Sequence, residues 1–167
     1  MTISTHAPRV AAETRDVRPA TGPQPRRRRR LLLLAPVLAL LLAACQPSPQ
    51  QESVRGLVNE SRGAHGVPSL GDDVVVRYKA QQWAEHLADA GRLSHSSLSR
   101  GLDGVAWVAV AENVGRGPSI RDVHEQFMRS SSHRANILDR RWDRIGTGHA
   151  VGSDGYTYTV HVFVDLG

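Results

Sequence analysis

From residue 52 onward the apolar positions of this chain fall into distinct periods. Val54, Leu57 and Val58 recur at helical spacing and give out near residues 63–66, which predicts a short first helix. Asp72 and Asp73 open a second, stronger helix. Its stripe is Val76, Ala80, Trp83, Ala84, Leu87 and Ala88, and Gly91 ends it. Residues 106–110 are a short apolar run between loops and read as a strand. Pro118-Ser119 followed by Asp122 marks a third helix start, with Val123 and Phe127 facing inward. A helical turn over residues 135–138 comes next. Residues 144–151 and 156–164 then form two strand-like runs around Gly152-Ser153-Asp154-Gly155, the chemistry of a hairpin turn. The order helix, helix, strand, helix, hairpin has no β-α-β alternation. It predicts an α+β domain with helices packed on a small antiparallel sheet.

The first third of the chain has a different character. Residues 1–25 are rich in Pro, Thr, Ala and Arg and lack apolar periodicity. Arg26, Arg27, Arg28, Arg29 and Arg30 form an unbroken basic run, and 14 uncharged, mostly apolar residues follow, from 31 to 44. That stretch is short for a membrane-spanning helix and right for an export signal; a retained signal anchor is the alternative. It ends in Leu42-Ala43-Ala44-Cys45, with the only cysteine of the chain. A lone cysteine in an exported protein has no internal disulfide partner. Leu-Ala-Ala-Cys resembles the lipobox of bacterial lipoproteins. The resemblance implies cleavage before Cys45 and lipidation of that residue, with palmitate among the expected acyl groups. Two or three acyl chains anchor a protein stably where one does not. The expected organisation is a lipoprotein signal segment (1–44), a flexible Pro-containing tether (45–51) and a folded domain (52–167). The protein would then face the extracytoplasmic side of the bacterial cell membrane.

Processing changes the meaning of the charge. The whole chain carries a formal net charge of +5. Residues 1–44 hold 8 basic and 2 acidic side chains, which leaves 13 basic and 14 acidic side chains, a net of −1, in the rest. The basic character belongs to the signal, and the mature domain has no nucleic-acid footprint.

Four short motifs line up in order: Asn59-Glu60-Ser61-Arg62, Leu93-Ser94-His95-Ser96, Ala111-Glu112-Asn113-Val114-Gly115, and Ser130-Ser131-Ser132-His133-Arg134-Ala135-Asn136-Ile137-Leu138 ahead of Ile145-Gly146-Thr147-Gly148. Together they resemble the CAP superfamily (the SCP domain), in its bacterial, disulfide-free branch, over essentially all of residues 52–167. The resemblance implies a three-layer α-β-α sandwich and a cavity lined by two histidines and two glutamates. By motif position His95, Glu112 and His133 are three of these. The position of the second glutamate, three residues beyond the aromatic Phe127, holds Ser130; Glu125 precedes Phe127 and is no clean replacement.

Two imidazoles and a carboxylate supply three ligands with a fourth position open, the arrangement of catalytic zinc. Some family members hold a metal on the two histidines, so His95 and His133 are the expected metal ligands and zinc the expected ion, if any. The alternative is that Glu112 orients a histidine and closes a polar cavity without metal. A serine triad of Ser130, Ser131 or Ser132 with His133 and Glu112 lacks a Gly-x-Ser-x-Gly elbow, and a serine run before a helical turn reads as cap and loop. Acid–base catalysis needs two groups of separated pKa, and only one carboxylate is placed for it. The expectation is therefore a binding protein for a small lipid-like or cell-wall-derived ligand; the alternative is an extracellular metal-dependent hydrolase using His95, His133 and Glu112. Gly146-Thr147-Gly148 belongs to a strand, not to a nucleotide loop. His65, His86 and His124 read as solvated, and His149 and His161 as surface or sheet residues. Trp83 reads as core. Trp142, with Arg140, Arg141 and Arg144, reads as a solvated loop.

Overall fold

The computed structural model of the protein describes residues 46–167; the expected signal segment and Cys45 lie outside the described residues. The first helix, α1, spans Pro49–Ala64 and starts three residues ahead of the expected domain boundary. Its capping box is the reason. The Ser48 hydroxyl accepts the Gln51 N–H, and the Gln51 side chain accepts the Ser48 N–H. Pro49 occupies the first turn, where its missing N–H costs nothing. Residues 49–51 are thus helix rather than tether.

Helix α2 spans Val74–Ala90. The Asp73 carboxylate accepts the Val75 and Val76 N–H groups, and Gly91 closes the helix at φ 62°, where a glycine is favoured. Helix α3 (Ile120–Arg129) is capped by Ser119, and α4 (Ser131–Leu138) is a full helix rather than the expected single turn. The strands are β1 (Gly71–Asp72), β2 (Ala109–Gly117), β3 (Arg144–Val151) and β4 (Thr157–Asp165). They form one sheet in the order β1-β3-β4-β2, antiparallel except for the two-residue β1, which pairs parallel with β3. The first long strand therefore contains Glu112-Asn113 rather than preceding them. The polar pair interrupts the apolar run that set the expectation at 106–110, but both side chains are satisfied by hydrogen bonds within the fold.

Strand β4 is the centre. Its residues from Thr157 to Val164 are all buried, and period-two alternation sends them to two cores. Tyr158, Val160, Val162 and Val164 pack with Val76, Ala80, Ala84 and Leu87 of α2. Phe163 packs on the other face with Val58, Val123, Phe127, Ile137 and Trp142 from the α1, α3 and α4 side. This is an α-β-α sandwich in an α+β fold. The approach of α2 explains Gly146 and Gly148. A Cβ on Gly146 would meet the Val76 carbonyl carbon at 2.2 Å, and one on Gly148 the Ala80 carbonyl oxygen at 2.1 Å. The glycines admit a helix backbone, not a nucleotide.

Long-range packing also decides side chains that sequence left in solvent. Trp142 is buried, stacked on Phe163 at 6.0 Å, and donates its indole N–H to the Asn136 carbonyl. Of its expected loop partners, Arg140, Arg141 and Arg144 are exposed, and Arg141 lies over the indole at 4.4 Å. His124 is buried, with Nε2 2.8 Å from Ser61 Oγ on α1. His161 is buried completely between Phe127 and Phe163. Arg62, on the inner face of α1, donates to the carbonyls of Pro68, Ile137 and Asp139. It clips α1 to the end of α4. Among the described residues no helix is long and apolar enough to cross a membrane.

Candidate functional site

The site is built around β2, an edge strand. Neighbouring residues on a strand point to opposite faces, so Glu112 and Asn113 tie down different layers. On one face Glu112 accepts His95 Nδ1 at 2.8 Å and the Ser96 N–H at 2.9 Å through Oε1, and the Ser96 hydroxyl at 2.6 Å through Oε2. On the other, the Asn113 amide donates to the His133 carbonyl at 3.0 Å and its oxygen accepts from Asn136 Nδ2 at 2.9 Å. The loop bearing His95 and the helix bearing His133 thus converge over the same strand edge.

The Glu112 side chain is 1% exposed and that of His95 61%. A buried carboxylate requires compensation, and it is supplied from two sides. His95 is one; Lys79 is the other, reached through Ser96. Lys79 lies on the apolar stripe of α2 and is buried. Its ammonium donates to Ser96 Oγ, Ser97 O and Arg100 O at 3.1, 2.8 and 2.8 Å. Burial pulls its pKa below the ordinary value, while the charge of Glu112 opposes that shift. Oε1 of Glu112 faces Nδ1 of His95, which leaves Nε2 as the ring nitrogen turned away from Glu112.

His133 is half-buried. Its ring packs on Phe127 at 4.9 Å, and Nδ1 is 2.9 Å from Ser130 Oγ. Burial, and then the nearby His95, lower its pKa, so it is neutral at neutral pH. A cavity of about 380 Å3 lies against His95, Ser96, Glu112 and Asn136, with Leu98 and Val110 as apolar wall. His133 is not part of that wall, because Phe127 and Ser130 hold its ring. Glu125 is on the exposed face of α3, 3.6 Å from Arg129, and takes no part.

The serine triad is not assembled. Ser130 contacts His133 at Nδ1, within one turn of helix, and Glu112 serves His95 instead. Among the described residues no group of three or more His, Cys, Asp and Glu is arranged to hold a metal ion. Sequence reasoning singled out His95, Glu112 and His133, of which His95 and Glu112 line the cavity, and did not single out Ser96, Asn113, Asn136 and Lys79. The first three lie inside the quoted motifs. The signal for Lys79 was a charge on an apolar helical stripe, three residues after Val76.

The fold and the site can now be set beside known proteins. The model of the family described as CAP, the cysteine-rich secretory protein family, matches residues 55–164, and the chain belongs to this family. Over 118 residues it is 25% identical to the Bacillus subtilis (strain 168) protein YkwD, covering 66% of this chain and 46% of that protein. The chain therefore spans less than half the length of this relative. Two solved structures share the fold. An outer surface protein from Borrelia burgdorferi gives a TM-score of 0.64 at 17% identity, covering 72% of this chain and 95% of that one. A cysteine-rich secretory protein from Staphylococcus aureus gives 0.58 at 23% identity, covering 70% and 38%.

Proposed function

We propose that this protein is an extracytoplasmic binding domain, held to the cell membrane by a lipid anchor on Cys45, that takes a small lipid-like or cell-wall-derived ligand in the His95 cavity and is not an enzyme. The observation that carries the reading is the commitment of Glu112. Both its oxygens accept from His95 and Ser96, its side chain is 1% exposed, and the second carboxylate position of the family pattern is Ser130. A carboxylate that acts as general acid or base must exchange a proton with the substrate. This one positions an imidazole instead. What is left for a ligand is the outward nitrogen of His95, the Asn136 amide and the apolar Leu98 and Val110. Support for the anchor is the basic run, the apolar stretch and the Leu-Ala-Ala-Cys ending.

A divalent metal such as zinc fits two residues rather than three. His95 and His133 each have one ring nitrogen engaged by a polar partner, Glu112 or Ser130, which orients the other as in ligating histidines. Bound there, the ion would supply a Lewis acid. Glu112 is almost wholly buried and already holds His95 and Ser96, which does not favour a hydrolase using His95, His133 and Glu112 together.

The test uses residues 46–167, which contain every described element and both cores. Zinc, palmitate and muramyl dipeptide are titrated separately while His95 and Asn136 are followed by NMR. Saturable shifts at both residues with palmitate or muramyl dipeptide, lost in His95→Ala, are expected, with zinc binding reduced by His95→Ala and His133→Ala alike. No response to either organic probe, or turnover abolished by Glu112→Gln, would overturn the reading. For the anchor, mass spectrometry of the chain from membranes is expected to show acylated Cys45 as its first residue; unmodified Cys45 refutes it.

A further inference from the structure

A larger cavity than that at His95 lies elsewhere. It is a half-open groove of about 600 Å3 between α2 and the loop from Ser96 to Asp103, and it reaches the His95 site only at Ser96. Its helical wall runs from Val75 to His86, about 16 Å at the α-helical rise per residue. The loop wall is fixed in advance. All three ammonium protons of Lys79 are spent on Ser96, Ser97 and Arg100. Gly101, at φ 80°, turns the chain over the Lys79 stem. A preformed groove loses little ordering entropy when a ligand enters.

Its chemistry is specific. Tyr78 is 65% exposed and has no core role. Trp83 stacks on His86 at 4.6 Å, and its indole N–H is already given to the Ser94 carbonyl. These rings therefore offer faces and edges rather than an indole donor. Around them stand Gln82, which donates to the Tyr78 hydroxyl at 2.9 Å, and Arg100 and Asp103. Neither charged side chain makes a hydrogen bond or ion pair within the described residues. An acyl chain would use none of the Gln82, Arg100 and Asp103 polar groups. An anion would meet Asp103, and a cation Arg100. A neutral polyhydroxylated ligand uses donors and acceptors together and lays its C–H faces on aromatic rings.

We infer that the groove between α2 and the Ser96–Asp103 loop is a saccharide site that takes a short neutral oligosaccharide. It is separate from the His95 cavity and stands whether or not that cavity binds its ligand. The experiment titrates residues 46–167 with chitotetraose, cellotetraose and maltotetraose and follows the tyrosine ring, indole, glutamine amide and arginine Nε signals. The expected result is saturable shifts at Tyr78, Trp83, Gln82 and Arg100 with at least one sugar, with His95 and Asn136 unmoved. Tyr78→Ala and Arg100→Ala each weaken binding tenfold or more, and both keep the parental melting temperature because both residues are exposed. No shift with any of the three at millimolar sugar overturns the inference. So do shifts confined to His95 and Asn136, or affinity unchanged in both variants.

Discussion

Glu112 and Asn113 are adjacent on β2 yet hold opposite layers: Glu112 fixes the His95 loop, and Asn113 fixes the start of α4 through the His133 carbonyl. The two histidine-bearing segments converge on this edge because consecutive residues of one strand are both used as anchors. Glu112→Gln replaces one acceptor oxygen by a donor, so a buried hydrogen bond is lost and a donor is opposed. The expected cost is about 1–3 kcal/mol of stability, with about tenfold or more weaker zinc binding as His95 loses its carboxylate. Urea unfolding and zinc titration of the same variant check both. Zinc affinity equal to that of the parent protein would show that Glu112 does not position His95.

Glycines on β3 and α1 should respond in opposite directions. Gly148→Ala drives a Cβ into the Ala80 carbonyl at 2.1 Å, backbone that cannot rotate away. The expected loss is about 3 kcal/mol or more, at the upper end of overpacking costs. Gly56 is an exposed interior position of α1 with nothing within 4 Å of a built Cβ. There Gly56→Ala should gain about 0.5–1 kcal/mol through helix propensity. Urea midpoints of the two variants, measured side by side, decide the matter; a loss at both positions would refute the α1 assignment.

Arg62 bonds three carbonyls on two segments with one guanidinium. Arg62→Met keeps the apolar stem and strands buried acceptors, so about 3 kcal/mol of stability should be lost. Arg62→Lys should recover little, because an ammonium lacks the planar fork. Thermal melts of the pair test this, and a lysine variant as stable as the parent would count against the clip.

The buried histidines give a signed pH dependence. Burial first, then His124 and His133, lower His161 from 6.5 to about 3. The unfolded chain therefore takes up a proton below pH 6.5 that the folded chain refuses. The stability contributed by neutral His161 is complete above that pH and is lost progressively as pH falls toward 3. The slope from one such group is about 1.4 kcal/mol per pH unit. His161→Leu should remove about that slope between pH 6 and 4.5, measured by urea unfolding, and leave the smaller contributions of His124 and His133, which burial also lowers. An unchanged slope would mean that His161 is protonated in the fold.

The legible part of this protein is the part whose signals are local. Asp73, the stripe from Val76 to Ala88 and Gly91 are neighbours in sequence, and together they define α2. The Gly152 to Gly155 turn does the same for the hairpin. Strand β2 is displaced from its expected place because Glu112-Asn113 interrupts its apolar run, and what makes that pair tolerable is contributed by residues 16 to 23 positions away. His124 and Trp142 read as solvated, and His161 as a surface or sheet residue, because burial depends on which layer later covers a residue. His95, Glu112 and His133 are found through motif order. That Glu112 holds Ser96 through both oxygens cannot be read there, since it depends on where Ser96 lands.

The first turn of α1 has a mechanical consequence. The Gln51 side chain holds the Ser48 N–H and also bonds Gln81 of α2, while the Gln51 carbonyl accepts from Thr147 of β3. A pull applied at Gln46 is therefore delivered at Gln51 to a neighbouring helix and to the sheet before it reaches the rest of α1. A domain hung from that end would carry its load in shear across several bonds at once, rather than unzipping its first helix turn by turn.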